Sequence, residues 1–432
     1  MSVHDLPLTT PASQRTGTGR RWFEIAGRYA ISASGPVVIA GAHFVASLLF
    51  LRVAAPEDFG IFSFVLVVVP LALSLSGALL GAPIAGALNR GRTIDENEMG
   101  TYLKSNLAYS VAACVLVFLA LLASRAPAPA ALPLALYGGA MAFRWFARSL
   151  AYAKHKPLTA VFSDLVYGGL LLGGLLALLA ADRLTLETAA LALLGSALAS
   201  VAVFARADLH LRLGRGTPGS LSGYLPVWRD LTRWSFAGVL LTEMTSNAHA
   251  YFVTFVSGPK AFALLAVGGL MMRPVSLVLT ALPDMERPVM ARKIGQKDTR
   301  GAFRTVMEFR TAASAILIAT ALLGAGILAF FPHLLIKPGY DVTSVFEVFV
   351  FWIAISGVRT LRTPDAVFLQ AAQEFSALAR AGARSAVVSL AATPLLLFAF
   401  GPIASLGGIL LGDIVMTFDI FRLTRKWRND YG

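Results

Sequence analysis

The 432-residue chain is 56% hydrophobic and only 14% charged, with a mean hydropathy of +0.69, far from the roughly one-quarter charged residues of soluble domains. That excludes a water-soluble fold, which could not hide so much apolar surface. The single cysteine, Cys114, excludes an intrachain disulfide and a thiolate metal cluster. A net charge of +13 raises the question of nucleic acid, but basic loops facing anionic lipid explain it better, because those loops lack interleaved aromatic residues.

In chain order, residues 1–28 read as a polar cytoplasmic tail carrying Arg15, Arg20, Arg21 and Arg28. The tail leads into a full-length apolar run, so a cleavable signal peptide is not expected. A spanning helix needs about 20 mainly apolar residues, and twelve runs qualify. They are Tyr29–Leu51, Ile61–Leu88, Leu103–Ser124, Leu132–Ala153, Leu158–Ala181, Leu184–Ala205, Trp234–Val256, Ala261–Pro283, Phe309–Pro332, Val342–Val358, Ser376–Phe400 and Ile403–Leu423. The expectation is an all-α integral membrane protein of about twelve transmembrane helices.

Loop charge gives an independent check, because cytoplasmic loops are enriched in Lys and Arg. Of the 37 Lys and Arg, five fall on the proposed outer side (Arg52, Arg125, Arg183, Lys260, Lys337), Arg273 lies within a span, and the other 31 fall on the inner side. Both termini are therefore predicted to be cytoplasmic and the protein to sit in a bacterial inner membrane. The outer loops are too short to form a catalytic domain.

An internal repeat divides the chain into an N-lobe (29–206), a cytoplasmic linker (207–233), a C-lobe (234–424) and a C-terminal tail (425–432). Arg21-Trp22 before Ala26-Gly27 matches Arg233-Trp234 before Ala237-Gly238, and Pro70 and Pro83 match Pro274 and Pro288. Six helices per half give a parallel 6+6 repeat, two six-helix bundles around a central cavity.

Ionisable groups inside a span cost several kcal/mol and are functional candidates. Arg273, in Met271-Met272-Arg273-Pro274, is permanently charged and offers a fork of donors suited to phosphate. Glu243 is expected at the same depth, because both residues lie fifteen positions from Gly258, and a Glu243–Arg273 ion pair would neutralise the cation at rest. The seventh span adds Thr242, Thr245, Ser246, Asn247 and His249, a polar surface that suits a wet cavity. Glu243 and His249 can carry a proton.

His43, Asp164 and Asp413 are candidates for coupling or gating, although single polar residues in a span are as often packing elements. Gly35-Pro36 marks an expected bend in the first span. The tenth run leaves two arrangements open: extended through Pro364 to Gln370 it carries Arg359 and Arg362 into the cytoplasmic half of the cavity, whereas ended near Val358 it leaves them to snorkel at the interface, the expected arrangement. Among enzyme signatures, GxxxxGK[ST], HExxH and paired aqueous carboxylates are all missing, which argues for transport rather than catalysis. No cofactor is expected. With no nucleotide site, the coupling ion is H+ or Na+.

The run Leu51-Arg52 followed by Pro56-Glu57-Asp58-Phe59-Gly60-Ile61-Phe62, together with Pro288-Val289-Met290-Ala291-Arg292, Gly339-Tyr340 and Phe368-Leu369-Gln370-Ala371, resembles the polysaccharide transporter (Wzx-type flippase) family. That family belongs to the multidrug/oligosaccharidyl-lipid/polysaccharide (MOP) exporter superfamily. The resemblance implies a cationic cavity between two six-helix bundles and an undecaprenyl-diphosphate-linked oligosaccharide moved from the cytoplasmic to the periplasmic leaflet. Family members use cavity arginines for the acidic head group, and Arg273 occupies a matching location; Arg28, Arg359, Arg362 and Asn247 are this chain's further candidates for substrate binding. Implied partners are membrane lipids, a polysaccharide polymerase and its co-polymerase. The family often carries an aspartate in the seventh span where this chain has Asn247 to His249, which leaves the coupling ion open. Two other readings stand beside it: a multidrug or cation antiporter of the same superfamily, and a membrane scaffold for glycan-synthesis enzymes.

Overall fold

The computed structural model describes the backbone of residues 18–90, 92–206, 218–335 and 340–431, with side chains from Gly35 onward except at 89, 206, 334 and 335. The described residues form helices and connecting turns with no strand. Every expected span is a helix. These are α1 (Thr18–Val53), α2 (Pro56–Leu88), α3 (Glu96–Ala123), α4 (Ala128–Ala153), α5 (Pro157–Ala180), α6 (Leu186–Arg206) and α7 (Arg233–Ser257), followed by α8 (Pro259–Met271) and α9 (Arg273–Gly295), which together make the eighth span. The remaining four are α10 (Thr299–Phe330), α11 (Val342–Ala371), α12 (Phe375–Phe400) and α13 (Ser405–Tyr431).

Eight of these helices are long and apolar enough to cross a membrane, and α8 with α9 makes a ninth if the bent pair is one span. The remaining three, α4, α7 and α13, are those that carry Arg144 and Arg148, Glu243, and Asp413 and Asp419. Their lower hydropathy reflects the polar work done inside the bundle. The chain is a multi-pass membrane protein.

Local chemistry sets the helix boundaries. Pro56, Pro157, Pro259 and Pro274 occupy first turns, where the missing N–H costs nothing. Asp95, Asp298 and Asp341 cap α3, α10 and α11 by accepting from Glu98 N, Gly301 N and Ser344 N at 2.7–2.8 Å. Gly35-Pro36 does not interrupt α1, which runs through Pro36. The expected limit of the tail at residue 28 falls inside α1, where only backbone is described, and residues 207–217 of the 207–233 linker lie outside the described residues.

The two halves pair their helices in the same order. In the first, α1 packs on α5, α2 and α3 pack on α4, and α6 packs on α4 and α5. In the second, α7 packs on α12, α8, α9 and α10 pack on α11, and α13 packs on α11 and α12. The fold is thus two six-helix bundles. Close crossings within them use small residues: a Cβ at Gly408 would lie 2.4 Å from Thr393 N, and one at Gly412 2.7 Å from the Ser389 side chain.

The bundles meet along α2 and α8. Phe64 stands edge-on to Tyr251, Phe255 and Phe262, with centroids 5.6–6.2 Å apart. A Cβ at Gly60 would fall 2.0 Å from the carbonyl oxygen of Pro259. This end carries Pro56 and Gly258, and main chain closes it directly against main chain. Gly60→Ala is expected to push the seam open at an overpacking cost of ~1–3 kcal/mol. Spin labels at the exposed positions Arg52 and Lys260 report it: the label-to-label distance lengthens in the variant, and an unchanged distance would refute the assignment of a seal.

Candidate functional site

A cavity of about 220 Å3 lies between the bundles. The N-lobe lines it with His43, Phe44 and Ser47 of α1 and Phe59, Ser63, Leu66 and Val67 of α2. The C-lobe supplies residues of α7, α8 and α9, with Trp352 and Arg359 of α11. Six polar residues singled out from the sequence therefore share one space: His43, Ser246, Asn247, His249, Arg273 and Arg359.

Arg273 owes its position to a broken helix. The Met271-Met272-Arg273-Pro274 step ends α8 and starts α9 with a bend of 57°. Proline cannot donate a backbone hydrogen bond, so the ladder parts at this point. The cation consequently sits at the N-terminus of a half-helix, whose free N–H groups add partial positive charge. Its side chain is exposed to the cavity and has no hydrogen bond or ion pair with any described residue.

The expected Glu243–Arg273 pair is not formed. Glu243 instead accepts from Ser74 of α2 at 2.8 Å and from Asn247 at 3.3 Å, so it ties the two lobes together. Equal depth along a hairpin does not fix the direction a side chain faces, and the hydroxyl of α2 is the nearer donor. The polar surface of α7 is correspondingly divided. Ser246, Asn247 and His249 face the cavity, whereas Thr242 and Thr245 bond their own helix at Gly238 and Leu241.

The expected snorkelling of Arg359 and Arg362 is also corrected. Helix α11 runs on to Ala371, which carries both arginines into the bundle. Arg359 lines the cavity, and its Nε donates to Asp413 Oδ2 at 2.7 Å. Arg362 Nη1 donates to Asp413 Oδ1 at 2.8 Å. One carboxylate on α13 thus bridges two guanidiniums on α11.

Asp164 makes a similar bridge inside the N-lobe and does not line the cavity. It accepts from Arg144, which is fully buried, and from Arg148 Nε at 3.1 Å. The charge count assigned both arginines to the inner face. Burial gives them a structural part that the sequence analysis missed, although two cations four residues apart within the apolar run Leu132–Ala153 were the available signal. His43 connects the cavity to this interior: its Nε2 lies 2.7 Å from Tyr167 OH, which is 3.0 Å from Tyr137 OH, and the guanidinium of Arg144 lies over the Tyr167 ring. His249 meets Trp352 edge-on at 5.4 Å. The side chain of Arg28 lies outside the described residues.

No family model and no curated protein matches the sequence. Solved structures do. One is an inward-facing multidrug resistance MATE family transporter of the MOP superfamily, with 13% identity, a TM-score of 0.67, and coverage of 92% of this chain and 97% of that one. A second is the lipid II flippase MurJ in an inward closed conformation, at 11% identity, TM-score 0.69, 90% and 86% coverage. A third is the MATE multidrug transporter DinF-BH, at 14% identity, TM-score 0.61, 98% and 99% coverage. The chain has the all-helical fold of these MATE and MurJ structures.

Proposed function

We propose that this protein is a MOP-type alternating-access flippase that carries the diphosphate headgroup of a lipid-linked oligosaccharide, undecaprenyl-diphosphate-linked by resemblance, from the cytoplasmic to the periplasmic leaflet. The observation that carries this reading is Arg273, an unpartnered guanidinium at a half-helix N-terminus inside the inter-lobe cavity. Discontinuous helices that aim their N-termini at anionic groups recur in transporters. A second cation, Arg359, faces the same space, and no described residue lining it is a carboxylate.

That lining supports the flippase reading over the multidrug one. A cavity for cationic drugs needs negative charge, whereas this one is cationic and favours an anion. At about 220 Å3 it is smaller than the roughly 300–1,000 Å3 of typical ligand pockets, so the lobes must separate further to admit an oligosaccharide. The gradient that drives this is of H+ or Na+.

The test is deletion of the gene followed by fractionation of lipid-linked intermediates. One polyprenyl-diphosphate species is expected to accumulate on the cytoplasmic leaflet, and an unchanged lipid-linked pool would sink the proposal. Drug sensitivity of the deletion strain, with a normal lipid-linked pool, would favour the multidrug reading.

A further inference from the structure

We infer that Asp413 is a built-in counter-anion that shares Arg359 with the substrate's phosphate and holds binding weak enough for release. The inference rests on the anion-site reading above. The two cavity cations are not equivalent: Arg273 has no partner among the described residues, whereas Arg359 spends its Nε on Asp413. The terminal nitrogens of Arg359 have no bond to any described residue, and its side chain is 28% exposed. It can therefore accept a phosphate end-on while Asp413 holds it side-on.

Asp413 cannot meet the substrate itself. It is 7% exposed, does not line the cavity, and is fixed on its other side by Arg362. From α12, Ser385 and Ser389 pack against the adjacent Gly412. Two negative groups on one guanidinium repel across a short distance in a poorly screened setting. The carboxylate thus lowers phosphate affinity at Arg359 and recovers the whole cation once the headgroup leaves. Asp419, one helix face away, pairs with Arg384 at 2.9 Å and has no link to the cavity, so it supplies the matched control.

Pyrophosphate binding to the full-length protein in lipid nanodiscs, measured by calorimetry, tests this. Asp413→Asn is expected to tighten binding by about ten-fold, and the gain is expected to fall below about two-fold in an Arg359→Gln background, because coupled residues are non-additive. Asp419→Asn leaves binding unchanged. If Asp413→Asn does not elute as a single species, Asp413→Ser repeats the measurement. Unchanged or weaker binding in both variants, or equal tightening with and without Arg359, overturns the inference. Failure of pyrophosphate to bind the wild type overturns the anion site beneath it, a separate result.

Discussion

Arg273→Ala is expected to abolish export of the lipid-linked glycan while the protein still reaches the membrane in normal amount. The guanidinium has no ion pair with any described residue, so its removal strands no described partner and is expected to cost little folding energy. What it removes is the full positive charge facing the cavity, together with the donor fork at the start of α9. Loss of a charge-assisted phosphate contact of this kind costs ~2–5 kcal/mol, about 30-fold to several thousand-fold in affinity. Arg273→Lys keeps the charge and loses the fork, so it is expected to retain part of the activity. Glycan export in a complemented deletion strain, with membrane protein level followed by immunoblot, decides the matter. Full export by Arg273→Ala would end the assignment.

Asp164→Ala is expected to have the opposite signature, a protein that fails to fold or is greatly destabilised. It would leave Arg144, with no exposed side chain, and Arg148, 11% exposed, without their counter-ion inside the N-lobe. Breaking a buried pair by removing one partner costs ~3–5 kcal/mol, because the surviving charge stays desolvated. Exchanging all three groups for apolar residues of similar size is expected to restore much of that loss. Gly35→Ala attacks the same point from α1, where an added Cβ would lie 2.0 Å from Asp164 Oδ2. Thermal unfolding in detergent, read by fluorescence size-exclusion chromatography, ranks the variants. A wild-type melting curve for Asp164→Ala would show that the triad carries no stability.

The helix inventory was legible because hydropathy and loop charge are one-dimensional signals: a run of apolar residues spans wherever the rest of the chain goes. Arg273 stood out for the same reason, as a permanent charge in the middle of such a run. What one dimension does not hold is azimuth. Glu243 and Arg273 were matched for depth yet face different neighbours, and the polar residues of α7 divide between the cavity and their own helix. The same blindness hid Arg144 and Arg148, since a cation near the inner end of a span satisfies the positive-inside rule whether it points to lipid headgroups or into the lobe. Arg359 and Arg362 were misplaced because snorkelling is the default for a lone arginine, and only the carboxylate of Asp413, 54 and 51 positions along the chain, makes the interior the better solvent. The convergence of His43, Asn247, His249, Arg273 and Arg359 on one cavity is likewise a property of packing between two lobes.

The contact of Gly60 with the Pro259 carbonyl makes closure a matter of main-chain shape, while the cavity is lined mostly by side chains from α1, α2, α7, α8, α9 and α11. The two functions are thereby separately heritable. If the proposed function holds, a lineage can exchange cavity side chains to follow a changing glycan, one substitution at a time, without re-solving how this end shuts. The reverse does not hold: almost any side chain at Gly60 would alter transport of every cargo at once, so mutations there should abolish export without shifting its specificity.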